Sequence, residues 1–186
     1  MEPSPSVVRT ATPEDRDDVW RLLLQSHSEN GIFKLDPVKV DHLVNRALYA
    51  AQIPPWDQGP RAHIGVIGPP GKLEAIVFLM IGSFWYSSDL HLEELLIFVD
   101  PEYRRSEHAK SIIAWMKKTA QTLGIPVLTG IISKHRTAAK IRLYDRYLPR
   151  VGAFFLFPMD EKSDIRKMNR MDYAAYEHLK SQRKLQ

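Results

Sequence analysis

Residues 91–123 read HLEELLIFV-DPEYRRSEHAK-SIIAWMKKTAQTL, and this stretch decides the fold. Leu92 to Val99 is short and mostly apolar, as in a strand buried on both faces. Asp100-Pro101 ends it, because proline cannot continue a central strand. Beyond the break, Ala109, Ile112, Ile113, Met116, Ala120 and Leu123 recur at helical spacing, with Lys110, Lys117, Lys118 and Gln121 on the other side. Gly124 and Pro126 predict the helix end. Arg104, Arg105 and Ser106 fall where the helix begins. Unpaired backbone N–H groups and a partial positive charge at such a start favour phosphate, and two arginines add fixed charge. The plainer alternative is a pair of solvated surface arginines.

Composition bounds the rest. The chain has 186 residues, 44% hydrophobic and 26% charged, which predicts one ordinary globular domain with a terminal extension. No run approaches the roughly 18 apolar residues of a membrane span. The start, MEPSPSVVRT, lacks a basic segment followed by an apolar one, so no secretory signal is expected and a cytoplasmic location is. With no cysteine, disulfides, thiolate nucleophiles and cysteine metal ligands are all excluded. No metal is expected. The net charge of +4 suits an anionic ligand and permits nucleic-acid contact without demanding it.

Outward from the central stretch, the pattern predicts one mixed sheet. Ser6 to Thr10 is a short strand. Thr12 is a helix N-cap, with Pro13 in the first turn and Asp15 three residues after the cap. That helix is expected to reach Ser26, with His27 to Lys34 as a polar loop. Asp36-Pro37 starts a second helix with Val40, Leu43, Val44, Ala47 and Leu48 on one face. Ala62 to Ile67 and Leu73 to Tyr86 form an antiparallel hairpin around Pro69-Pro70-Gly71, with Gly82 as a candidate bulge. Pro126 to Ile132 is a buried strand, reached by a parallel crossover from Leu92–Val99. Thr137 to Leu148 is a helix, Val151 to Phe157 a last strand, and Asp160 to Gln182 a polar helix. The order β-α-α-β-β-β-α-β-α-β with a C-terminal helix is an α/β fold with helices on both sheet faces, residues 1–158 as the domain and 159–186 as its extension.

This order and the central motif resemble the GNAT superfamily of acyl-CoA-dependent N-acyltransferases. That family carries a strand ending in V-x-P, then x-x-[Q/R]-x-x-G-x-[G/A] opening a helix. The motif stands here as Val99-Asp100-Pro101-Glu102-Tyr103-Arg104-Arg105-Ser106-Glu107-His108-Ala109, with Arg104 at the Q/R position and Glu107 where glycine is usual. Lys140-Ile141-Arg142-Leu143-Tyr144 resembles the family's A-x-x-L-Y helix, with lysine for alanine. The wording is most like small members encoded by bacteriophages and prophages. The resemblance implies acetyl-CoA as acyl donor, its pyrophosphate on the backbone of Arg104, Arg105, Ser106, Glu107, His108, Ala109 and Lys110. The pantetheine arm would pair with Ile97, Phe98 and Val99, where the strand splays from its parallel neighbour. An amine would attack the thioester directly, with Tyr144 protonating the leaving thiolate and Glu94 as general base. Strand alternation predicts that Glu94 points with Leu96 and Phe98, opposite to Glu93. His108 reads as a surface histidine.

The acceptor, a small molecule, a protein or a modified nucleobase, has only loose candidates in His27, Glu29, Asp36, Trp56, Trp85 and Tyr86. The competing expectation is an inactive GNAT-like protein that binds a host protein or nucleic acid through Arg136, Lys140, Arg142, Arg146 and Arg150. Glu107 is its main support. A homodimer through the C-terminal helix is a further expectation.

Overall fold

The computed structural model describes residues 3–54, 56–57, 59–133 and 137–152. The expected strand beyond Gly152, the expected helix over 160–182 and the 158/159 boundary lie outside them. The elements are β1 (Arg9–Thr10), α1 (Arg16–Asn30), α2 (Pro37–Leu48), β2 (Arg61–Ile67), β3 (Ala75–Ser83), β4 (Leu90–Val99), α3 (His108–Leu123), β5 (Val127–Leu128) and α4 (Thr137–Asp145). Contacts divide the chain into residues 1–22 with 42–129, and 23–41 with 130–186. The division falls inside α1 and inside α2.

The first unit holds a mixed five-stranded sheet in the order β1-β2-β3-β4-β5. The first three pairings are antiparallel and β4–β5 is parallel. On one face Ile67, Ala75, Val77, Leu79 and Leu92 pack with Ile112, Met116 and Ala120 of α3. Full burial of residues such as Ile112 and Met116 contributes on the order of 1.5–3 kcal/mol each. Gly65 lets the helix settle: a Cβ there would lie 2.9 Å from the Trp115 ring and from Val77. Gly124 closes α3 in the left-handed region, at φ 68°. The alternate strand residues Ile64, Val66, Ile76, Phe78 and Phe98 are buried as well.

Polar clamps fix α1 to this sheet. Asp18 accepts the N–H of Leu73 at 3.0 Å, while Arg21 bonds Asp18, Asp100 and the carbonyl of Leu73. Before the helix, Asp15 accepts the Thr12 N–H at 2.8 Å, as the cap pattern predicts. It also takes both arms of Arg9 at 2.7 Å each. Burial alone would push the Asp15 carboxyl up; the hydrogen bonds from Arg9 and Thr12 and the arginine charge outweigh it and hold it below the usual range.

Three expectations need correction. First, α1 runs to Asn30, so His27 and Glu29 are helical rather than in a loop. The side chain of Asn30 donates to the Ser26 carbonyl at 3.1 Å and helps finish that last turn. Second, Gly82 pairs regularly with His91, and the bulge lies in β4, where Phe78 faces Leu96 and Leu79 faces Glu94 with Leu95 left over. Third, β5 is only two residues long and pairs at Leu92↔Val127 and Glu93↔Leu128. The bulge turns β4 away from that register.

In the second unit Asn30 Oδ1 accepts from Ser133 Oγ at 2.6 Å and from Lys140 Nζ at 3.0 Å, and Lys140 also donates to Ser133 Oγ at 2.8 Å. This triangle joins the end of α1 to α4.

Asp15→Asn should lower unfolding free energy by about 2 kcal/mol at neutral pH, measured by urea titration. A depressed carboxyl contributes stability that is complete above its unfolded value, near 4, and disappears as pH falls through the folded value. The gap between wild type and variant should therefore close in acid. A gap independent of pH would remove the charge from the explanation.

Candidate functional site

The chemistry-bearing residues of the first unit gather around the end of β4 and the start of α3. Asp100 accepts the N–H of Glu102 and opens a short 3-10 turn over Pro101–Tyr103. Proline at its first position fits, since that N–H needs no partner. The Ser106 N–H and Oγ both donate to the Tyr103 carbonyl, and the His108 N–H donates to Ser106 Oγ. The turn thus satisfies part of its own backbone and delivers the chain into α3. The first N–H groups of the helix beyond it have no intrahelical acceptor.

Arg104 lies back along β4, its Nε donating to the Val99 carbonyl at 3.2 Å and its guanidinium 5.4 Å from the Phe98 ring centre. Arg105 is exposed. Glu107 takes the N-cap position with an ordinary φ of −82°, so the backbone requires no glycine there. Its carboxylate points outward and pairs with Lys110 Nζ at 3.0 Å.

His108 departs from expectation. The side chain is fully buried rather than on the surface. Nε2 meets Glu74 Oε2 at 2.7 Å and Nδ1 meets Ser6 Oγ at 2.9 Å. Ser4 donates its N–H and hydroxyl to the same Glu74 carboxylate. Burial would raise the Glu74 carboxyl, but hydrogen bonds from Ser4 and His108 prevail and hold it low. An ionised carboxylate only accepts, so the His108 Nε2 donates. Glu74 was not anticipated. Its signal is a lone acid opening the apolar run Leu73-Glu74-Ala75-Ile76-Val77, although nothing local marks a partner 34 residues away.

The bulge also corrects the facing of Glu94. Directly opposed residues of an antiparallel pair share a face. Glu94 opposes Leu79, and so lies on the α3 side with Leu92, Ile97 and Val99. Glu93 opposes Met80 and shares its side with Leu96 and Phe98. One extra residue has exchanged the two glutamates across the sheet relative to simple alternation. Glu94 Oε2 accepts from Thr129 Oγ1 at 2.5 Å, just after β5 stops pairing. From Glu94 to Val99 β4 has no strand partner on its β5 side among the described residues. Ile97, Phe98 and Val99 lie along that edge.

In the second unit Tyr144 is half-buried on α4. Arg150 pairs with Asp145 at 2.6 Å, Lys140 is held by Asn30 and Ser133, and Arg136 lies outside the described residues. Two members of the basic surface in the binding-protein expectation, Lys140 and Arg150, thus have internal partners, while Arg142 and Arg146 are exposed. Among the acceptor candidates, Asp36 caps α2 by accepting from Val38 and Lys39, and His27 Nε2 meets the Phe33 carbonyl. Trp85 and Tyr86 touch edge to face at 5.5 Å and are 95% and 68% exposed, so neither is a core aromatic. Trp56 is exposed too.

No family model matches the chain, and no curated protein does. Solved structures do. A possible acetyltransferase from Clostridium difficile 630 aligns at 16% identity and TM-score 0.57, covering 82% of this chain and 97% of that one. Ribosomal-protein-alanine N-acetyltransferase from Brucella melitensis biovar Abortus 2308 aligns at 13% identity over the same shares, with TM-score 0.58. The aminoglycoside acetyltransferase AAC(6')-Iy, bound to a CoA-linked bisubstrate analogue, aligns at 13% identity and TM-score 0.59, again over 82% and 97%. The chain has the fold of these acetyltransferases.

Proposed function

We propose that this protein is an acyl-CoA-dependent N-acyltransferase of the GNAT type, with acetyl-CoA as donor and a primary amine as acceptor. The single observation that carries the reading is the edge of β4 that no described strand pairs, beside a phosphate-ready helix start, on a fold shared with acetyltransferases. An unpaired strand edge within a sheet suits an extended ligand bearing amides. Pantetheine is such a ligand, and Ile97, Phe98 and Val99 offer the backbone for it. The start of α3, with Arg104, Arg105 and Lys110 near it, takes the pyrophosphate. Glu107 does not oppose this, because its charge is turned outward and paired.

The reaction needs no covalent enzyme intermediate. The amine nitrogen attacks the thioester carbonyl carbon, the carbon–sulfur bond breaks, and the amide forms. Glu94, or a water held by it, takes the ammonium proton. Tyr144 gives its phenolic proton to the departing thiolate; a phenol near pKa 10 is a serviceable donor to a thiolate near 8–9. Holding both reactants in place supplies much of the rate. The Tyr144 role rests on the resemblance of its helix, and the likeness to phage-encoded members on the wording from Leu92 through Phe155. The acceptor class stays at the level of a primary amine on a small molecule, protein or nucleobase.

Titration calorimetry with acetyl-CoA and with CoA tests the donor: micromolar affinity is expected, and no binding at millimolar concentration would sink the reading. Arg104→Ala should weaken CoA about tenfold while sparing fragments that lack the pyrophosphate; equal loss for both would misplace the phosphate.

With an acceptor found by amine screening, Tyr144→Phe should lower turnover more than it lowers acetyl-CoA affinity. Glu94→Gln should abolish the fall of the rate in acid that a carboxylate base produces. If Glu93→Gln does so instead, the base belongs to the opposite face of the sheet.

A further inference from the structure

We infer that the segment before β1 is a strap that positions the start of α3, and that Ser4, Ser6, Glu74 and His108 are positioning residues for coenzyme A. The inference rests on the reading of that turn as the pyrophosphate site, and it assigns part of its affinity to side chains that touch no ligand. Glu74 closes the turn at both ends. Its backbone carbonyl accepts the Asp100 N–H at 2.9 Å, where the turn begins. Its side chain accepts from His108 at 2.7 Å, where the turn becomes helix. The Glu74 N–H is bonded to Ile67, so the clamp is anchored in the β2–β3 hairpin.

The strap sets the clamp. The backbone N–H of Ser4 reaches both carboxylate oxygens, at 3.1 and 3.0 Å, and its hydroxyl reaches Oε1 at 2.6 Å. Ser6 Oγ meets the other nitrogen of the His108 ring. The two serines therefore hold the two ends of one buried pair, and Tyr103 packs beside the histidine with ring centres 6.2 Å apart. A buried carboxylate that loses hydrogen bonds takes new partners or water, and either response moves what it holds. What it holds is the backbone from Asp100 to His108. The segment is otherwise held lightly: Val8 packs against the core, Val7 is 71% exposed, and β1 itself is two residues long.

The test compares the full-length protein with Ser6→Ala, His108→Leu and His108→Gln, reading CoA affinity by calorimetry and ligand-free amide hydrogen exchange over residues 104–110. His108→Leu should weaken CoA about tenfold and speed exchange in that window, while His108→Gln, which keeps a donor for Glu74, recovers most of both. Ser6→Ala should weaken CoA about threefold, and it carries the test if the leucine variant does not fold. Wild type that binds CoA with variants that bind equally well would overturn the strap and leave the acyltransferase reading intact. Faster exchange spread over the whole sheet, with CoA affinity unchanged, would likewise reduce the pair to general stability and overturn it. Wild type that does not bind CoA would overturn both, and that outcome is read without any variant.

Discussion

β4 must satisfy two partners whose demands conflict, and the rest of the site follows from how it does so. Antiparallel pairing to β3 extends from Leu90 to Val99, whereas parallel pairing to β5 stops after Glu93. A regular strand bonded on both edges would keep both ladders. The extra residue, Leu95, keeps the first and gives up the second. It is 39% exposed, at the bulge and just beyond the last residue paired to β5. The cost is an edge of backbone N–H and C=O groups without ladder partners among the described residues, which proteins ordinarily cover or occupy. Thr129, just past the last paired residue, bonds Glu94 through its side chain at the point where the strands part.

The second requirement is a helix start held still at the end of the same strand. A 3-10 turn after proline is short and has few internal bonds, so its geometry depends on what grips it. Here the grip is a buried hydrogen bond between an imidazole and a carboxylate. Glu74 and His108 are both nearly inaccessible, and burying such a pair is costly unless every polar atom is met. The serines meet them. Arg21 adds a second hold by bonding Asp100 from α1, so the first residue of the turn is reached from both the hairpin and a helix. Rigid backbone is what anion binding by amides needs, since donors that must reorganise lose most of their advantage.

Much of this was legible in the sequence and some of it could not be. The unbroken apolar runs Ile64–Ile67 and Ala75–Leu79, and the 3.6-residue period in Ile112–Ala120, fix elements because burial follows the local chain geometry. Thr12, Asp36 and Gly124 mark helix ends for equally local reasons. The bulge at Leu95 has no such signature. Leucine there looks like its neighbours, and only the pairing to β3 shows which residue is extra, so the facing of Glu93 and Glu94 was read with the wrong phase. His108 is illegible for a related reason: its burial is decided by Glu74, Ser4 and Ser6, which are remote in sequence. The end of α1 was placed too early because Asn30 and its polar neighbours look like a loop until their partners Ser133 and Lys140 are in view.

Glu107 shows why a departure from a motif has to be weighed by mechanism rather than by resemblance. Glycine at a phosphate-binding turn serves either a positive φ or a close approach of backbone to ligand. The first need is absent, since φ is −82°. The second depends on where the side chain goes, and this one leaves the turn for solvent. There Lys110 offsets its charge, and a carboxylate at a helix start also gains from the helix dipole. A pair so exposed contributes little to stability, roughly 0–1 kcal/mol, and is weakened further by salt. Its consequence is local: the negative charge that would repel pyrophosphate is turned outward and partnered. The substitution is thus compatible with an anion site in a way that the same residue with a buried side chain would not be. Solved structures at 13–16% identity share this fold. Backbone geometry and burial pattern are what the architecture retains, and individual letters of the motif are free to change wherever neither is disturbed.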